Sequence, residues 1–148
     1  MPERSDIIVA EVAWASHAVS LRRVREIVFI EEQHVPRAEE WDGQDEGARH
    51  FLATYPTGQP CGCARLLPSG QIGRMAVLTE LRGLGLGMRL LQAAMHAARA
   101  DGLHQVFLHA QTHALQFYRK AGFVAHGEEF MEAGIPHREM VRTFADCP

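Results

Sequence analysis

The segment Glu80 to Gln92, ELRGLGLGMRLLQ, constrains the chain more than any other, because Gly83, Gly85 and Gly87 stand at alternate positions directly before a helical run. Glycine weakens a helix and is kept where backbone takes unusual angles or comes very close to another group. Downstream, Leu91, Ala94, Met95 and Ala98 fall at i, i+3, i+4 and i+7, the spacing of a helix buried along one stripe, and Asp101-Gly102 ends it. Upstream, residues 71 to 77 read as a strand. A strand, a glycine turn and a helix N-terminus present free backbone N–H groups at the positive end of a helix dipole, which suits an anion. An ordinary turn of this kind needs one glycine, so three point to the close approach of a ligand.

The common nucleotide motifs do not fit. Gly83, Gly85 and Met88 miss the third glycine of G-x-G-x-x-G, and a P-loop needs a lysine that this segment lacks, since the only lysine in the chain is Lys120.

The rest of the chain supplies the frame. With 148 residues, 47% hydrophobic and 22% charged, it is expected to form one domain spanning residues 1–148 with a real core. A net charge of −3 gives no pull toward nucleic acid or anionic lipid, so neither partner is expected. No stretch reaches membrane length and the first residues lack a signal-peptide pattern, which predicts a cytoplasmic protein. Cys61, Cys63 and Cys147 are read as reduced thiols. The histidines are scattered and Cys61-x-Cys63 is not a zinc knuckle, so no metal is expected.

A first strand is read over residues 7–14, then a helix capped by Ser16 and running to Gln33 with Leu21, Val24 and Val28 on its buried stripe. Residues 34–47 form an acidic loop judged too polar to carry a core segment. Three strands over residues 49–55, 62–67 and 71–77, joined by PTGQP and PSG, make an antiparallel meander. After the glycine helix come a strand over residues 105–110, a short helix capped by Thr112, and strands over residues 123–130 and 137–144.

The pattern Arg82-x-x-Gly85-x-Gly87, preceded by IGRMAV and followed by FYRKAGF, resembles the GCN5-related N-acetyltransferases. More narrowly, VREIVFIEEQ, EEWDGQDEGARHFLA, GCARLLP, HAQTHALQFYRKAGF and GIPHREM are similar to the ElaA-like branch. Thr112-His113-Ala114 departs from the pattern, because many relatives outside that branch carry an Asn there. The resemblance implies an α/β (α+β) fold: a twisted, mostly antiparallel sheet of about seven strands, helices on both faces and a central V-shaped splay. It implies acetyl-CoA as co-substrate. Arg82, Gly83, Leu84, Gly85, Gly87 and Met88 would hold its pyrophosphate, and Met75, Ala76 and Val77 would pair with the pantetheine arm as an added strand. A bulge is expected in that strand, at a position the sequence does not give.

An attacking amine must be neutral, yet its pKa in water is ~10.4, and the departing thiolate resembles a thiol of pKa about 8.5. Something takes a proton and something helps the sulfur leave. Tyr118, on the apolar stripe with Ala114 and Ala121, matches the family's tyrosine and is assigned both to the acid role and to the CoA site. The base is open among Glu32, Asp42, Asp45, His50, His137 and a relayed water, with Glu32 and His137 preferred; all five residues are assigned to the acceptor side. Trp41 is read as a lining residue of the acceptor pocket. The expected activity is acetyl transfer to a small-molecule or protein primary amine by direct attack, in a possible homodimer. A noncatalytic acyl-CoA sensor and a protein-interaction module are the alternatives on the same fold.

Overall fold

A computed structural model describes residues 6–145 of the chain; Cys147 lies outside the described residues. Strand β1 (Ile8–Val12) leads into helix α1 (Trp14–Arg25), which widens without a break into a π-helical segment (Glu26–Glu32). Short helix α2 (Arg37–Glu40) precedes β2 (Arg49–Thr54), β3 (Pro60–Leu66) and β4 (Ile72–Val77). Helix α3 (Leu86–Ala100), β5 (Gln105–Gln111), α4 (Leu115–Lys120), β6 (Val124–Glu132) and β7 (Ile135–Thr143) complete the order.

The strands form two antiparallel sheets, ordered β1-β2-β3-β4 and β5-β7-β6. Strand side chains alternate between faces, and in the first sheet both faces are covered. Phe51 and Ala53 of β2 join the cluster built on α3, while Leu52 joins Leu21, Val24 and Val28 of α1 and its extension. The α3 stripe is real: Leu91, Ala94 and Ala98 are fully buried, and they share one cluster with Leu108 of β5 and Met140 of β7. That single core ties the two sheets into one body.

Local readings change at the caps. Helix α1 starts at Trp14 with Ala13 as its N-cap, so Ser16 lies inside the first turn and donates to the Ala13 carbonyl at 3.3 Å. Thr112 opens a 3₁₀ turn (Thr112–Ala114) whose N-cap is Gln111, with no capping side chain. The acidic loop is exposed along most of its length but not throughout: it contains α2, and Glu40 and Asp45 are 2% and 7% exposed. Its carboxylates find arginines that sequence spacing does not place beside them. Trp41 of the same loop packs under the Arg25 guanidinium, 5.0 Å from its ring centre, and is not on the cleft wall described below.

Candidate active site

Strands β4 and β5 touch at one end and then part. The Phe107 N–H donates to the Gly70 carbonyl at 3.1 Å, and Gln71 and Phe107 form an isolated parallel bridge. Beyond it β4 is the edge of its sheet, and the space opening between the strands is a cleft of about 1140 Å³. Its walls come from β4, from β5 and β7, from the π-helical end of α1 and from Tyr118 of α4. Widened helical turns are frequent at functional sites; this one delivers Phe29, Glu32 and Gln33 to the cleft, where Gln111 of β5 donates to Gln33 at 3.0 Å.

A bulge re-aims β4. Cys63 pairs with Ala76 and Arg65 with Gly73, so Arg74 and Met75 together face the single residue Ala64. Arg74 takes φ +49°, a left-handed conformation disfavoured for a side-chain-bearing residue. Its guanidinium Nη2 reaches the Glu39 and Glu40 carbonyls and lies 3.0 Å from Asp42 Oδ2. Arg25 donates to Glu40 at 2.8 Å and to Asp45 at 2.7 Å, and Arg65 donates to Asp42 at 2.8 Å and to Asp45 at 3.1 Å. Three arginines thus neutralise three carboxylates behind the bulge.

This alters the expected acceptor side. Asp42 lines the cleft but is bound by Arg65 and Arg74. Asp45 is buried in the ion network and His50 is 1% exposed, its Nε2 donating to the Asp45 carbonyl at 2.7 Å; neither lines the cleft. Burial holds His50 below the usual histidine pKa. Glu32 and His137 do line the cleft. The Glu32 carboxylate receives both terminal nitrogens of Arg82, at 2.6 and 2.7 Å, and hydrogen bonding from Arg82 holds its pKa below the ordinary glutamate value.

The glycines have reasons inside the chain. Gly83 and Gly85 sit at φ +81° and +84°, Gly85 being the N-cap of α3, and a Cβ on Gly87 would come 3.3 Å from the Phe117 ring. Backbone geometry and internal packing therefore account for all three without a ligand. What remains for an anion is the helix end: no side chain caps α3, its first turn has no acidic residue, and a Cβ on Gly83 would meet nothing within 4 Å. Arg82 is occupied, because besides gripping Glu32 its Nε donates to the Val77 carbonyl at 3.0 Å.

Tyr118 brings its hydroxyl to the cleft, where the Met75 sulfur, 3.9 Å away, accepts its hydrogen bond. Phe117 and Phe123 pack edge-on against its ring. Burial pushes the phenol up to about 12.

A family model described as an acetyltransferase (GNAT) domain matches residues 18–144. The chain belongs to the GNAT acetyltransferase family. Among its relatives, the Bacillus subtilis uncharacterized N-acetyltransferase YjcF is 37% identical over 123 residues, 80% of this chain and 87% of that protein. Among solved structures, Escherichia coli ElaA is 30% identical, with a TM-score of 0.83 over 92% of this chain and 99% of that one. An acyl-CoA N-acyltransferase from Pseudomonas aeruginosa is 33% identical, with a TM-score of 0.82 over 93% and 99%. The splay and the seven-strand α+β architecture are those that the GNAT resemblance implies, and the bulge lies at Arg74 and Met75. The GNAT cleft also exposes what the sequence reading missed. Arg74, His109 and Glu132 all line it. A signal existed on β5: His109 and Gln111 alternate with buried Val106, Leu108 and Ala110, the pattern of a strand with one face on a site.

Proposed function

We propose that the cleft carries acetyl transfer from acetyl-CoA to a primary amine by direct attack within a ternary complex. The observation that carries this reading is an unpaired β4 edge with the Tyr118 hydroxyl against its Met75 and an uncapped helix N-terminus following it in the chain. Bound acetyl-CoA supplies an activated thioester carbonyl. Met75, Ala76 and Val77 offer their backbone to its amide-bearing arm as a neighbouring strand would. The backbone at Gly83, Leu84, Gly85, Gly87 and Met88 receives the diphosphate at the helix end. Arg82 acts indirectly, holding the end of β4 and Glu32 in place.

Tyr118 serves the departing sulfur. A phenol near 12 stays protonated across the working range and is a weaker acid than a thiol of about 8.5. It therefore stabilises the developing thiolate chiefly as a hydrogen-bond donor. Glu32, paired with Arg82 and weakened as a base, is less suited to take the amine's proton than His137.

Tyr118→Phe keeps the ring and deletes the donor. It should lower kcat at least tenfold in amine-dependent CoA release, with acetyl-CoA affinity by calorimetry within a factor of two of wild type. Unchanged turnover with chemistry rate-limiting would remove Tyr118 from the reaction.

A further inference from the structure

One wall of the cleft gathers two imidazoles around one carboxylate. In the second sheet Gln111 faces His137 across the β5–β7 pair, Phe130 faces His137 across β6–β7, and Glu132 faces Ile135 two residues on. Paired residues of neighbouring strands, and residues two apart on one strand, share a face. His109, Phe130, Glu132 and His137 are therefore neighbours on the face of the sheet that meets the cleft.

The hydrogen bonds fix one ring hydrogen on each histidine. His137 Nδ1 lies 2.7 Å from the Ile135 carbonyl, which can only accept, so Nδ1 carries the hydrogen and Nε2 of the neutral ring is a bare lone pair. His109 Nδ1 lies 3.1 Å from Glu132 Oε1, and an ionised carboxylate also only accepts, so His109 donates and orients it. This turns the other carboxylate oxygen, Oε2, toward His137 Nε2 at 3.8 Å. Two acceptors at that separation, with no hydrogen between them, are too far apart to bond and repel each other. A nitrogen carrying two or more hydrogens, set about 2.9 Å from each, bridges them. Phe130 fixes both rings, stacked with His137 at 6.0 Å and edge-on to His109 at 5.0 Å.

We infer that the notch between Glu132 Oε2 and His137 Nε2 docks the acceptor as its ammonium ion and deprotonates it there, with His109 as a positioning residue acting through Glu132. This deepens the acetyl-transfer reading and rests on it. One N–H bond of the ammonium breaks as an Nε2–H bond forms on His137. The neutral amine keeps the electron pair with which it attacks, and Glu132 balances the new imidazolium charge. The other groups near His137 are committed elsewhere: Gln111 donates to Gln33, and Glu139 lies 3.4 Å from His126. Among the described residues no group of three or more His, Cys, Asp or Glu side chains is set to hold a metal ion.

The test uses acetyl-CoA with spermidine, glucosamine and an N-terminal alanyl peptide as probes, following CoA release against pH with the amine that wild type turns over fastest. Glu132→Gln should raise the amine KM at least tenfold and move the acidic limb of kcat to lower pH, because the imidazolium loses its counter-charge. His109→Phe should reproduce part of both changes, and His109→Asn, which restores a donor at that position, should recover wild-type behaviour. Acetyl-CoA affinity should be unchanged in all three, which also shows that they are folded. A Glu132→Gln profile and amine KM that superimpose on wild type would overturn the notch. Wild-type protein that releases no CoA with any amine would instead overturn acetyl transfer itself, and the notch with it.

Discussion

Asp42 ends as a strong acid because two opposing effects meet at one carboxyl group. Burial works to raise its pKa, but hydrogen bonds from Arg65 and the Gln44 backbone, with the charges of Arg65 and Arg74, outweigh it and leave the group at about 2 against an ordinary 3.8. A carboxyl depressed in the folded state stabilises the fold above its unfolded pKa and loses that contribution as pH falls through the folded one. Asp42→Asn should therefore lower the unfolding free energy most above pH ~4, and the gap from wild type should shrink toward pH ~2, as read by urea denaturation at each pH. A gap independent of pH would mean that the ion pairs contribute nothing specific. None of this was legible in sequence, where the loop reads as acidic residues with no cation opposite. Arg25, Arg65 and Arg74 reach Asp42, Glu40 and Asp45 only once α1, β3 and β4 have assembled, and each partner lies 15 or more residues away.

The glycine turn shows how far an element can be read before it is seen. The α3 stripe and its end at Asp101 follow from periodicity and turn chemistry, which are local properties that the sequence displays directly. The purpose of each glycine is not local: Gly87 answers to Phe117, thirty positions away, and Gly85 to the handedness of the turn. Gly85→Ala should destabilise the fold by about 1–2 kcal/mol through left-handed strain, measured by urea unfolding. Its effect on acetyl-CoA affinity is a separate readout, since an alanine that shifts the helix start also displaces the amides offered to an anion. An unstrained, fully stable Gly85→Ala protein would contradict the left-handed cap. The missed bulge has the same explanation, because two residues facing one is a property of register between β3 and β4 and leaves no mark within β4 itself.

At the scale of the whole molecule, two sheets are joined by a shared core and one short bridge at Gln71 and Phe107, and the π-helical end of α1 reaches β5 through the Gln33–Gln111 contact across the cleft. A ligand lying along β4 completes a ladder that the chain leaves open. Acetyl-CoA at a hundred times its Kd should raise stability by about 2.7 kcal/mol, and hydrogen exchange at Met75, Ala76 and Val77 should slow more than in β1. Uniform slowing, or none at β4, would count against binding along that strand. The order of strands and helices was legible because alternation and periodicity survive in the sequence. The wall made by His109, Glu132 and His137 was not, because it joins three strands through pairings that only the folded sheet defines.

An open strand edge is ordinarily a place where proteins stick to one another. Here that edge looks inward at β5 across a gap that starts closed at one end. A ligand that brings its own amides can pair with that edge from within the gap, while β5 and the π-helical end of α1 wall the space where a further strand of the sheet would lie. The fold keeps an adhesive surface by turning it toward its own interior.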